Sequence, residues 1–579
     1  MRFAGQMIRL PSQLATNQCP TISNQRPTTN GNAQRQPTTK HRPPTTNHHT
    51  NQSRMNTEPS PISHLQSPIQ KPWLIALAVM SATFMEVLDT SVANVSLPHI
   101  AGTLSASTDE ATWVLTSYLI SNAIILPATG WLSSFFGRKR LLIACTIIFT
   151  VSSALCGAAP SLSFLIVARI LQGIGGGVLQ PTAQAVMMES FSLAKRGQAM
   201  AIYSIGVIVA PIVGPTLGGW ITDNYSWRWI FYINVPVGII SVLLTQKALI
   251  DPPHLRRIAR NNIDYIGFGL MALALGGFQL VLDKGQHEDW FASAFILWLT
   301  VIACAALVGF VIRELRVAEP IVDLRILGNR NFGMGTLLVA VAGAVLYGVM
   351  AQLPMFLQSL MGYTAVESGM AVSPRGIGAM ISMLSVGRMI GKLDGRWLMA
   401  CGFATLGVSV WLLGDINLEI TQATVIWPNI VSGLAIGFVF VPLTTLTMST
   451  LRTEQIGYAT GLFSLLRNLG GGIGISVGAT TLARGAQIHQ AALAAHLTPY
   501  DAAFQQRWQQ VQGALSTQLG ALGSEQVTNA TMYGTLLRQA RLLAFIDNFR
   551  SLGLLCLLCI PLVFLFKKVQ PRGTKIDVH

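Results

Sequence analysis

The sequence predicts an all-α membrane protein with fourteen spanning helices, arranged as six, two and six. Three observations carry that expectation. Apolar runs long enough to cross a bilayer recur along most of the chain, the charged residues collect between them, and small and polar residues repeat at a fixed offset of 260 positions. The composition agrees: 51% of the 579 residues are hydrophobic and only 11% charged, against about 25% charged in a typical soluble domain.

Taken in order, residues 1–70 are rich in Thr, Asn, Gln, Pro and His, with PTTN and PTTK recurring. Such a segment cannot bury a core, so it is expected to be a disordered cytoplasmic tail. It holds no apolar run of the secretory-signal kind, and Met55 is an alternative start to Met1. From Lys71 onward apolar runs fall at 73–97, 111–133, 141–160, 162–188, 198–222, 228–250, 264–283, 291–312, 333–357, 366–387, 397–416, 423–450, 456–482 and 541–566. They group as a six-helix bundle over 71–250, two extra helices over 251–330, a second six-helix bundle over 331–567 and a short cytoplasmic tail over 568–579. Residues 485–540 form the one long external loop, and stretches such as FQQRWQQVQGALSTQLGAL give it helical character with apolar faces.

Charge sets the orientation. Arg138, Lys139 and Arg140, then Lys195 and Arg196, Arg256, Arg257 and Arg260, Arg313 and Arg316, and Arg388, Lys392 and Arg396 fall in alternate loops. By the positive-inside rule both termini are cytoplasmic. The formal net charge of +15 is thus a topology signal, and no nucleic-acid partner is expected. Cys145, Cys156, Cys304, Cys401, Cys556 and Cys559 lie in apolar runs, so neither a disulfide framework nor a metal site is predicted, and no cofactor is.

The repeat pairs Gly173 with Gly433, Gly177 with Gly437, Gly197 with Gly457 and Ser204 with Ser464. Its offset superimposes spans four and five on spans twelve and thirteen, as two related bundles separated by two added helices require.

The stretch FMEVLDTSVANVSLP (84–98) sets the chemistry. Glu86 and Asp89 are three residues apart, hence on one helix face, and well inside the first span. A charge at the bilayer centre costs about 2.5–3.5 kcal/mol on insertion scales, so such residues face a pathway or a partner. The other deep charges are Arg169, Arg375 and Arg467, and no histidine lies within a span. Asp89 is therefore expected to carry a proton, Arg169 to tune it, and Glu86 to share the proton or pair with a cationic substrate. A static buried ion pair is the alternative. Arg375 and Arg467 are buried charges of the second bundle, with backbone carbonyls as candidate partners. Asn94, Tyr118, Asn122, Gln172, Gln180 and Gln184 are candidates to line a polar cavity, or to make interhelical hydrogen bonds. In span five Gly206, Gly214, Gly218 and Gly219 permit close helix approach, while Pro211 and Pro215 bend the helix and free carbonyls.

Five stretches in order, LDTSVANVSLP (88–98), GWLSSFFGRKR (130–140), RILQGIGGG (169–177), GVIVAPIVGPTLGG (206–219) and SWRWIFYINVPVG (226–238), resemble the signature set of the fourteen-span drug:proton antiporters of the major facilitator superfamily, with EmrB-type multidrug exporters most alike. The resemblance covers about residues 73–567. It implies the major facilitator fold, proton-coupled export of small amphipathic or cationic compounds by alternating access across the inner membrane, and no enzymatic activity. It also implies a hinge at the span-five motif and a cytoplasmic gate at Gly130, Gly137, Arg138, Lys139 and Arg140, with Ser134 where the family usually has an acid. Protons, small molecules and membrane lipid are the implied partners, with a periplasmic adaptor and an outer-membrane channel as candidate contacts of the external loop. A dedicated exporter of one metabolite is the alternative within transport, and a membrane-embedded sensor or enzyme the alternative outside it. No GxxxxGK[ST] loop supports ATP-driven pumping.

Overall fold

Each apolar run becomes a helix because, inside a bilayer, a helix satisfies its own backbone hydrogen bonds. The computed structural model describes residues 72–251, 264–390, 392–495, 497–498 and 500–567. The two expected terminal tails lie outside these, as do Arg256, Arg257, Arg260 and Met55. The principal helices are α1 Pro72–Thr103, α2 Trp113–Phe136, α3 Arg138–Gly157, α4 Leu162–Ser190, α5 Leu193–Asn224, α6 Trp229–Ala248, α7 Tyr265–Lys284, α8 Ala294–Arg316 and α9 Arg330–Ser359. There follow α10, in two pieces Ala365–Val372 and Pro374–Met389, then α11 Gly395–Leu412, α12 Gln422–Met448, α13 Ile456–Ala494 and α14 Ala502–Val563.

Among the described residues twelve helices are long and apolar enough to cross a membrane, so length and apolarity alone give twelve spans where the sequence reading expected fourteen. The two that fall short are α10 and α13. In α10 Pro374 cannot donate to the carbonyl of Met370, and the helix divides at Ser373, whose hydroxyl donates to that carbonyl at 3.2 Å. In α13 Arg467, Asn468 and a run of glycines dilute the apolar character of an unbroken 39-residue helix.

Helix starts follow the sequence. Ser161 caps α4, Asp264 caps α7, Asn329 caps α9, Asp394 caps α11 and Asp501 caps α14, each accepting from a backbone N–H of the first turn. Thr364 and Glu367 form a capping box on α10.

Glycines set which helices touch. On α5, a side chain at Gly214 would collide with Ser91 of α1, and one at Gly218 would come within 2.8 Å of Val92. On α4, Gly173 and Gly177 press on the backbone of α2 at Tyr118 and Asn122. On α12, Gly433 and Gly437 press in the same way on α10 at Arg375 and Met383. Residues 260 apart thus do the same packing job. The α1–α6 set meets the α9–α14 set at two seams. In one, Gly130 of α2 lies against Tyr458 of α13, with Gly461 against the Leu126 carbonyl at 3.0 Å. In the other, α5 packs on α10, with Gly387 against Ala201 and Gly369 against Thr216. Helix α7 bridges the first seam: Thr116 donates to Asp283, the Lys284 ammonium donates to the Thr112 hydroxyl at 2.8 Å, and the Trp290 indole beyond its end donates to Thr480 of α13 at 3.0 Å. Helix α8 shows Phe295, Trp298, Val301, Ile302, Val308 and Ile312 on its outside, as a lipid-facing helix does.

The expected external loop is largely helical. Helix α13 runs on through it to Ala494, where Gln490 donates to the Tyr533 hydroxyl of α14. Trp508 donates to Asn529 at 2.9 Å, whereas 21 residues of straight helix span about 31 Å. The first part of α14 is therefore folded back on the second. Arg538 ties this extension to the body by donating to the Leu360 carbonyl at the end of α9.

Candidate functional site

The site is built on the buried face of α1. Asp89 lies where α1, α4 and α6 meet, and every partner it has is a donor. One Arg169 guanidinium nitrogen is 2.6 Å from Oδ2, while the amides of Gln172 and Asn234 donate to Oδ1 at 2.9 and 2.7 Å. The network extends outward: Arg169 also donates to the Gln172 side-chain oxygen and to the Val114 carbonyl. Asn234 donates to Ser153, whose hydroxyl donates to the Phe231 carbonyl. The guanidinium lies 4.3 Å from the Tyr118 ring centre, a cation–π geometry. Asp89 is 2% exposed and Arg169 fully enclosed. Removing either partner of such a pair leaves an uncompensated buried charge, at a cost of about 3–5 kcal/mol.

Glu86, one turn before Asp89, has a different setting. Its Oε1 accepts from the Tyr118 hydroxyl at 3.2 Å and from Asn122 at 3.4 Å, while its Oε2 has no partner among the described residues. Arg467, on α13 across the seam, is one of the charges acting on it. Arg467 itself donates to the Gln180 side chain of α4, and the Tyr203 hydroxyl donates to the Gln180 carbonyl at 3.2 Å. One carboxylate is thus saturated with donors. Its neighbour keeps an oxygen bare beside the junction of the two helix sets.

The residues read as cavity-lining divide by location. Gln172 belongs to the Asp89 network, Tyr118 and Asn122 surround Glu86, and Gln180 holds Arg467. Gln184 is buried, with its side-chain oxygen unpartnered among the described residues. Asn94 is exposed and donates to the Thr90 carbonyl of its own helix. Arg375 has neither a carbonyl nor any other partner for its three guanidinium nitrogens among the described residues. Asn234 and Ser153 were not singled out from the sequence. Their only signal was a polar side chain in an apolar run, which many spans carry.

In the span-five motif, the carbonyl of Pro211 is the one Pro215 leaves without its helical donor, and the Ser91 hydroxyl donates to it at 3.2 Å. Gly214 and Gly218 serve the tight α1 contact, whereas side chains at Gly206 and Gly219 would meet only Met80 at 3.2 Å and Val95 at 3.8 Å. At the basic turn Gly137 has φ +83°, a conformation glycine adopts at little cost. The turn is pinned by Asp251, which accepts from the Lys139 backbone N–H at 2.7 Å, while the Lys139 ammonium donates to the Gln246 carbonyl. Arg138 is buried and paired with Glu189 at the end of α4. Ser134 donates to the Gly130 carbonyl. The acid that pairs with this turn therefore comes from another helix.

Comparison with known proteins agrees with this architecture. Residues 79–475 match the family model described as Major Facilitator Superfamily. The chain is 38% identical over 497 residues to the fatty acid resistance protein FarB of Neisseria gonorrhoeae, covering 85% of this chain and 96% of that one. It is 39% identical over 469 residues to the multidrug export protein EmrB of Escherichia coli, covering 80% and 91%. The colistin resistance protein EmrB of Acinetobacter baumannii is 29% identical over 84% of this chain and 95% of its own. In structure the chain is similar to the human organic anion transporter MFSD10, with TM-score 0.55 and 12% identity over 87% of this chain and all of that one, a likeness of fold. Buried acids and small-residue seams between two helix sets, together with these matches over most of the length, place the chain in the Major Facilitator Superfamily as a multi-pass transporter of the EmrB type.

Proposed function

We propose that this protein is a proton-coupled antiporter that exports small amphipathic compounds across the inner membrane by alternating access, with both termini cytoplasmic and fourteen spans grouped six, two and six. The observation that carries the coupling is the pair of acids one turn apart on α1, one neutralised by Arg169 and one with a bare oxygen. Asp89 exchanges its donors for a proton when the α1–α4–α6 junction loosens, and Glu86 takes a proton or a cationic group on the seam side. The driving force is adequate. One charge crossing 100 mV yields about 2.3 kcal/mol, which supports roughly a 50-fold gradient.

The test is pH-dependent dye efflux in inverted vesicles. Asp89→Asn is expected to insert normally and to lose proton-driven efflux. Undiminished efflux in that variant removes the assignment. The helical extension over 485–540 is the proposed contact for a periplasmic adaptor. Its deletion is expected to spare vesicle transport while lowering drug resistance in cells, and equal loss of both points to a self-packed cap instead.

A further inference from the structure

A buried cation with nothing to pair with marks a second site. Arg375 is the second residue of the longer piece of α10, directly after the break at Ser373 and Pro374. It is 3% exposed, and Nε and both terminal nitrogens lack partners among the described residues. Among the described residues no ion pair includes it. An isolated buried charge is so costly that proteins pair it or give it a ligand.

Two features make its place a receptor for an anion. The break leaves α10 with a second helix start inside the span, where the helix dipole favours negative charge. Long helical side chains lean toward the N-terminus of their own helix, which carries the guanidinium to that end. On the facing helix α12, the Arg375 carbonyl touches the site of Gly433, and just before Gly433 lie Ser432 and Asn429. The Ser432 hydroxyl and the Asn429 side-chain oxygen are also buried and unpartnered among the described residues. Toward the other helix set, Gly387 against Ala201 and Gly369 against Thr216 run α10 antiparallel to α5 and bring Arg375 level with Pro211. Pro211 is bonded to Ser91, two residues beyond Asp89. The unpaired cation thus lies near the depth of the acids.

We infer that Arg375 binds the carboxylate of an amphipathic monoanion. This deepens the export reading and rests on it for the statement that the bound anion is also transported. A guanidinium matches a carboxylate with two parallel hydrogen bonds, and one such group balances one negative charge. A dianion would leave a buried excess, and a small hydrated inorganic anion would shed its water for a single cation. The apolar body of the ligand lies between α10, α12 and α5. Such a ligand enters either from the membrane, as a long-chain fatty acid, or from water, as an aromatic carboxylate.

The test measures binding to the purified full chain in lipid nanodiscs. Probes are dodecanoate, dodecanol, dodecyltrimethylammonium and water-soluble 2-naphthoate. The wild type is expected to prefer dodecanoate to dodecanol by about 10-fold or more. Arg375→Gln is expected to abolish that preference, Arg375→Lys to keep part of it, and both to bind dodecyltrimethylammonium as before. Binding of 2-naphthoate assigns the water-borne source, and binding of dodecanoate alone the membrane source. Displacement by millimolar chloride at unchanged ionic strength would overturn the proposal in favour of an inorganic anion site. So would a wild type without carboxylate preference, or an Arg375→Gln variant that retains it. Because Arg375 satisfies no protein group, its replacement is expected to leave the melting temperature unchanged or raised. A fall in stability with loss of all ligands alike makes the residue structural and overturns the assignment. If the wild type binds carboxylate through Arg375 but vesicles pump none of the probes, the export reading fails while the site stands.

Discussion

Asp89 and Arg169 form a unit in which neither residue has a meaning alone. Arg169→Ala is expected to destabilise the folded protein by about 3–5 kcal/mol, since it leaves the Asp89 carboxylate buried without its cation. Asp89→Asn with Arg169→Gln removes both charges, and is expected to melt above the Arg169→Ala single variant. A thermal-shift cycle over these variants reads the coupling directly. Asn234→Leu removes one donor from Asp89 and one link to Ser153, and is expected to cost about 1–3 kcal/mol and to alter the pH dependence of efflux. At this scale the sequence revealed the charged members and the neutral Tyr118, Asn122, Gln172 and Gln180, and hid the rest. Glu86, Asp89, Arg169, Arg375 and Arg467 stand out because ionised groups are rare in apolar runs. Asn234 and Ser153 do not, because what identifies them is the helix opposite, and topology rather than local pattern decides that.

Among the elements, α5 and α10 explain why the proline and glycine positions matter. The α5 glycines are not equivalent. Gly218→Val is expected to disrupt the α1 seam, because its side chain would meet the Val92 backbone as well as its side chain, with a cost of roughly 1–3 kcal/mol for overpacking. Gly219→Ala, with 3.8 Å to Val95, is expected to fold and transport like the parent. Yield of folded protein by fluorescence size-exclusion separates the two. The sequence pattern predicted close approach for all four glycines, but only the register of α5 against α1 selects Gly214 and Gly218. The break in α10 was less legible. The run 366–387 reads as a continuous span, and Pro374 followed by an arginine interrupts it only when the backbone is seen. The external segment was legible as helical from its composition. Its fold-back was not, since nothing local in the pattern says that Trp508 meets Asn529.

For the whole molecule, the basic-turn end of the seam is closed. Gly130 lies on Tyr458, and Gly387 on Ala201. A cysteine pair at Ala201 and Gly387, placed in a background without the native cysteines, would have β-carbons close to the disulfide range of about 3.5–4.5 Å. Oxidation is expected to stop efflux and reductant to restore it. Unimpeded efflux in the cross-linked protein would mean that this end does not open during transport. One element couples this closure to the far side. Helix α13 starts at the Tyr458 contact and continues without interruption to Ala494, a rod of about 58 Å. Pivoting such a rod by roughly 10° at its base swings its tip by some 10 Å. The outer end therefore reports, as a mechanical pointer, which way the inner end stands, and anything resting on the tip is nudged once per turnover.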